Sequence, residues 1–167
     1  MNREALKSLQ EPLKQRYRDS PQDALVTLSA TGTLDDGIAC SVKTGRALAT
    51  AGLHPATGGD GSALCSGDML LEALVACAGV TLRAVATALE IPIERGTVTA
   101  DGVLDFRGTL AVDRDAAVGF KTIALRFELD APGADDDQLA TLLKLTERYC
   151  VVLQTLRATP ALTVELR

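Results

Sequence analysis

Tryptophan is absent from the chain, and two Tyr and three Phe leave aromatics at only 3% of it. A core must therefore be built from Leu, Val and Ala, and few side chains remain on which nucleic-acid bases could stack. Basic residues are outnumbered, 17 against 22 acidic ones, for a net charge of -5 and a pI near 4.9. That balance argues against a nucleic-acid or anionic-membrane partner. There is one histidine, His54, which excludes His-rich metal sites and leaves a Ser-His-Asp triad a single candidate. No serine elbow accompanies it, so His54-Pro55 reads as a loop turn. The four cysteines, at 40, 65, 77 and 150, form no CxxC pair, and spacings of 25, 12 and 73 do not suit a zinc site. The opening MNREALKSLQEPLKQRYRDS has no apolar stretch of the secretory kind. The expectation is a cytoplasmic protein with reduced thiols, without a disulfide framework.

What is present is a globular composition: 47% hydrophobic and 23% charged over 167 residues, enough for one domain with a real core. Residues 3–19 predict a short amphipathic helix that Pro12 interrupts and Ser20-Pro21 ends. A helical arm over 1–22 then precedes a single domain over 23–167. The alternating LVTLSAT (25–31) and IACSVKT (38–44) predict two strands joined by a turn at Asp35-Asp36-Gly37. A third short strand is expected at 46–51. Cys40 falls on the second strand and reads as structural. The loop GLHPATGGDGSALCSG (52–67) has the length of a functional loop, but it lacks GKS or GKT and follows no strand into a GxGxxG. No nucleotide or other cofactor is expected.

From Asp68 to Leu89 Ala and Leu dominate, both strong helix formers. The predicted helix is about 33 Å long at 1.5 Å per residue, with Ser66 as N-cap and Asp68 in the first turn. It is apolar nearly all round, which fits a central buried helix or a membrane span. Glu72 and Arg83 inside it would each cost about 2.5–3.5 kcal/mol at a bilayer centre, so the buried helix is the reading taken. The two also project about 20° apart around the helix, which suits an ion pair or an interface contact. Strands are expected at 97–104, 109–112 and 120–129. A second helix starts at Asp135-Asp136-Asp137 and runs to Thr159-Pro160, and Leu162–Leu166 (LTVEL) is a last strand. The order of strands, helix, strands, helix and strand is an α+β layout.

Each long helix carries one cysteine. Leu70, Ala73, Cys77, Thr81 and Ala84 share a face of the first, and Cys150 lies on the apolar face of the second. Two central helices of this kind could bring the thiols together; the pattern does not show that they meet. Cys65 sits in the loop just before the first helix. It reads as a loop residue, with a role as a further resolving or regulatory thiol as the alternative.

The stretch GGDGSALCSGDMLLEALVACAGVTLRAVATALEIPI resembles the first helix of the OsmC/Ohr family of thiol peroxidases, and LTERYCVVLQTL resembles that family's second-cysteine motif. The resemblance extends over most of residues 24–166. It implies an α+β fold of antiparallel sheets around two long central helices, in an intertwined homodimer with active sites built from both chains. It also implies reduction of organic hydroperoxides, with Cys77 as the peroxidatic and Cys150 as the resolving cysteine, and a dithiol as reductant. Asp68 stands where one branch of the family has its glutamate, with Glu72 one turn on as a second candidate. Arg46, the only Arg between Asp19 and Arg83, is the candidate for the family's activating arginine. Val151 follows the second cysteine where many members have proline. The alternative function is a non-catalytic dimer of the same fold that binds an apolar ligand in its interface pocket.

Overall fold

In the computed structural model, which describes residues 3–35, 39–42, 52–62 and 64–166, the elements follow in the order α1 (Arg3–Asp19), β1 (Leu25–Asp35), β2 (Ala39–Val42), α2 (Ser66–Ala88), β3 (Arg95–Asp105), α3 (Phe106–Thr109), β4 (Phe120–Asp130), α4 (Asp136–Tyr149) and α5 (Val151–Arg157). Short 3-10 turns occupy Pro21–Ala24 and Pro55–Thr57. The sheet order is β2-β1-β3-β4. β1 and β2 are antiparallel, with Gly32 opposite Val42 and Asp35 opposite Ala39. Arg95 pairs with Asp130 and Arg126 with Asp101, which ties the start of β3 to the end of β4 and so runs these two antiparallel as well. The expected α+β class with antiparallel strands is the one found. The strand expected at 46–51 and the turn at 36–37 lie outside the described residues.

The chain divides into two compact units. The first draws on Met1–Thr31, Lys43–Glu72 and Thr99–Arg126; the second on Gly32–Val42, Ala73–Val98 and Phe127–Arg167. In the first, Tyr17, Leu71, Ala100, Phe106 and Leu110 are buried. The Tyr17 hydroxyl is satisfied by donating to the Ala56 carbonyl at 2.6 Å, and Gln10 donates to the Thr57 carbonyl at 3.2 Å. Helix α1 is thereby fastened to the turn after His54. It also runs unbroken through Pro12, contrary to the expected interruption. Pro12 and Ser8 are exposed, so the carbonyl that loses its partner can be hydrated.

The strand expected at 109–112 is instead the single-turn helix α3 and a tight turn. Asp105 caps α3 by accepting from the Arg107 N–H at 3.1 Å, and Ala111 takes a positive φ of 53°, which a strand cannot hold. Arg107 bridges buried Asp105 at 2.6 Å and Asp113 at 3.3 Å, so the buried carboxylate is paired. On β3, Gly102 leaves room for the Phe120 ring: a Cβ there would lie 2.4 Å from it.

In the second unit, α2 buries Leu74, Val75, Ala78, Leu82 and Ala86 against a core that includes Ile91, Ile93, Val98, Leu142 and Cys150. A fully buried leucine is worth roughly 2 kcal/mol. By length and composition α2 could cross a membrane; in this fold its leucines at 74 and 82 are fully buried by protein. Asp135 and Gln138 form a reciprocal capping box at the start of α4, as the acidic run suggested. The single second helix expected from 135 onward is broken, however. Cys150, at φ -70° and ψ 104°, ends α4 and caps α5. Nor do residues 162–166 form a strand: Leu162, Val164 and Leu166 are almost wholly exposed. Their alternation is strand-like, but without a neighbouring strand their backbone gains no ladder.

Candidate thiol site

The break at Cys150 gives the second unit its chemistry. Where α5 begins, the amides of its first turn have no carbonyl one turn earlier to bond. Two of them, on Val152 and Val151, face the sulfur of Cys77 on α2 closely enough to favour its charged form. Helical spacing sets Thr81 one turn after Cys77 on the same face, and its hydroxyl also favours the charged sulfur. The Cys150 thiol completes the set, so the two sulfurs are near enough to shift each other's ionisation. Partial burial works against ionisation of Cys77, yet the Val152 amide, the Cys150 thiol, Thr81 and the Val151 amide together hold its pKa below that of an ordinary thiol. Cys150 is fully buried. Burial, reinforced by Cys77 beside it, pushes its pKa up to about 11.

The two cysteines singled out in the sequence are thus neighbours with opposite tendencies: ionisation is eased at Cys77 and opposed at Cys150. Both are reduced thiols here, as is Cys65. A thiol whose ionisation is favoured and that has a second thiol beside it can be oxidised and then captured by that thiol. The amide donors were not read from the sequence. The available signal was Val151 itself, since proline in its place would carry no N–H.

None of the remaining candidates is among the groups that shift the ionisation of either sulfur. Arg46 falls outside the described residues. Asp68 and Glu72 belong to the first unit and are one turn apart on α2. Burial raises the pKa of Asp68, opposed by His54; burial and then the Asp68 charge raise that of Glu72. Arg83 donates from its guanidinium to the Ile93 carbonyl at 2.9 Å. The helix cap also differs from expectation: Met69 N–H bonds to the Cys65 carbonyl at 3.1 Å, so Cys65 occupies the cap position and Ser66 is the first helical residue. Among the described residues, no three His, Cys, Asp or Glu side chains are grouped to hold a metal ion.

Comparison with solved structures places this fold beside two others. An OsmC-like hydroperoxide resistance protein from Jannaschia sp. CCS1 superposes with a TM-score of 0.63 at 19% identity, over 86% of this chain and 94% of that one. An OsmC-like protein from Mycoplasma pneumoniae superposes at 0.56 and 17% identity, over 81% of this chain and 86% of that one. A search of curated proteins found no significant match. The family model described as OsmC-like protein matches residues 59–165, a span that holds both thiols of the site. With most of its length matched, the chain belongs to the OsmC-like protein family.

Proposed function

We propose that the protein is a cysteine-based peroxidase that reduces organic hydroperoxides, with Cys77 as nucleophile and Cys150 as resolving thiol. Family membership supports a peroxidase-related role. The observation that carries the finer reading is the Cys77–Cys150 contact, with the first thiol's pKa held down and the second's pushed up to about 11. The Cys77 thiolate attacks the terminal oxygen of the hydroperoxide and the O–O bond breaks. The alkoxide leaves and takes a proton from solvent, and Cys77 becomes a sulfenic acid. The Cys150 sulfur then attacks the Cys77 sulfur; the S–S bond forms, and the sulfenic hydroxyl departs as water with the Cys150 proton. An external dithiol supplies two electrons and two protons to restore both thiols.

The amides of Val151 and Val152 stabilise charge on Cys77 before the attack. Arg46 is the proposed additional cation at the thiolate, oriented by Asp68 or Glu72. A homodimer is part of this reading: Tyr149, Val151, Leu162, Val164 and Leu166 are exposed apolar residues at 57–102% of their full accessibility, more than a lone chain ordinarily leaves to water in one stretch. A cytoplasmic location, where a dithiol reductant is at hand, is part of the same proposal.

The test is consumption of cumene hydroperoxide in the presence of dithiothreitol. Catalytic loss with wild-type protein, abolished in Cys77→Ser, is the expected result; loss no faster than with dithiothreitol alone would reject the reading.

A further inference from the structure

The geometry points to a second binding site, in the first unit, that takes a neutral aromatic molecule carrying one hydrogen-bond acceptor. A cavity of about 420 Å³ opens there, lined in part by His54, Cys65, Leu70, Leu104, Phe106 and Phe120. That volume is within the usual range for small-ligand sites. One wall is a ready-made aromatic surface: the His54 and Phe106 rings stack at 5.0 Å with 18° between their planes. Flat apolar surface of this kind favours a flat apolar partner.

The histidine is fixed before any ligand arrives. Its Nδ1 accepts from the Ala56 N–H at 3.0 Å, and its carbonyl accepts from Thr57 at 2.8 Å and Gly59 at 3.1 Å. Buried Tyr17 holds the Ala56 carbonyl from the other side at 2.6 Å. With Nδ1 engaged as acceptor, a neutral ring must carry its hydrogen on Nε2, which leaves that N–H to donate. Among the described lining residues none is Asp, Glu, Lys or Arg, and the Asp68 carboxylate is near enough to His54 to interact with it, so an anionic ligand is disfavoured. A neutral aromatic with a carbonyl or ether oxygen satisfies both conditions. None of the lining residues is among the groups that shift the ionisation of Cys77 or Cys150.

The probe is acetonaphthone, a neutral naphthyl ketone, added to the purified full-length protein. Without Trp in the chain, the near-ultraviolet absorbance of the naphthyl ketone is read with little protein background, and equilibrium dialysis gives the bound fraction. The expected result is saturable binding of one equivalent per chain, with iodoacetamide alkylation of Cys65 slowed at least severalfold and that of Cys77 unchanged. Naphthalene, which lacks the acceptor, is expected to bind roughly fivefold more weakly, the cost of about one hydrogen bond. Gly119→Phe is expected to abolish binding by filling the cavity. Gly119 lines it, and a Cβ there meets nothing within 4 Å, so the variant should fold. Val118→Trp, at an exposed lining position, is the second filling variant, and Cys65 protection in the wild type reads the site without any variant. No saturable binding, or binding that leaves Cys65 alkylation unchanged, would overturn the proposal. So would equal affinity in both folded filling variants.

Discussion

The backbone amide of Val151 faces the sulfur of Cys77 and favours its thiolate, an interaction that a proline at 151 could not make. Val151→Pro is therefore a sharp test of how the thiolate is held. Proline is tolerated at the first position of a helix, and Cys150, at φ -70° and ψ 104°, already has the extended backbone that must precede one. The fold is expected to survive. Cys77 should then ionise at higher pH, and its alkylation at neutral pH should slow measurably but by less than about fivefold, because Val151 is the smallest of the four favourable influences. Iodoacetamide rates measured against pH, with circular dichroism as a check on folding, decide it.

The two thiols should separate cleanly in a titration. Cys77 is expected to become reactive below the pH at which an ordinary thiol does, whereas Cys150 stays protonated until about pH 11. For Cys77, whose folded pKa is depressed, the linked stability is present above the unfolded pKa and is lost as pH falls through the folded one. Cys77→Ser should consequently lose more stability relative to wild type at pH 9 than at pH 6. Denaturant midpoints at the two pH values measure this.

Much of this pair was legible in the sequence. Each cysteine stood on its own helical, apolar stretch, and the four-residue period put Thr81 on the face of Cys77. The α4 start was visible in Asp135 to Asp137, because a capping box is a local device. What escaped was decided by tertiary contact or by backbone geometry. The break at Cys150 interrupts a pattern that stays apolar and helical on both sides of it, so periodicity could not locate it. The single turn of α3 replaced an expected strand because Asp105 caps it and Ala111 adopts a positive φ. The stacked His54 and Phe106 are 52 residues apart, a juxtaposition no local pattern contains.

Glu72→Gln should stabilise the protein, but only where the carboxyl would otherwise be charged. Burial and then Asp68 raise the Glu72 pKa. Stability linked to a raised pKa is full below the unfolded value and is lost as pH rises through the folded one. The variant should melt at the same temperature as wild type below pH 4 and at a higher one at pH 7. Thermal scans at both pH values check the sign.

Gly102→Ala is expected to destabilise the fold by about 1–3 kcal/mol, the usual cost of overpacking. Its Cβ would lie 2.4 Å from the Phe120 ring and 3.3 Å from Leu71, so the ring must shift. Urea midpoints with an unchanged slope would report the loss. Because Phe120 also lines the cavity beside His54, binding of acetonaphthone should weaken with it.

Replacement of Cys150 by serine separates attack from resolution. The first equivalent of peroxide should still be consumed at Cys77, but turnover with a dithiol should fall by more than tenfold. The sulfenic acid then persists or passes to sulfinic acid, and mass spectrometry distinguishes these by one or two added oxygens.

The central claim is that Cys77 and Cys150 of one chain act as a redox pair, and the most direct measurement is peptide mapping after one equivalent of cumene hydroperoxide. The account predicts a loss of two hydrogens per chain, located as a Cys77–Cys150 disulfide within a single chain and reversed by dithiothreitol. Two thiols still free after the peroxide is added, or a bridge only between chains, would contradict it.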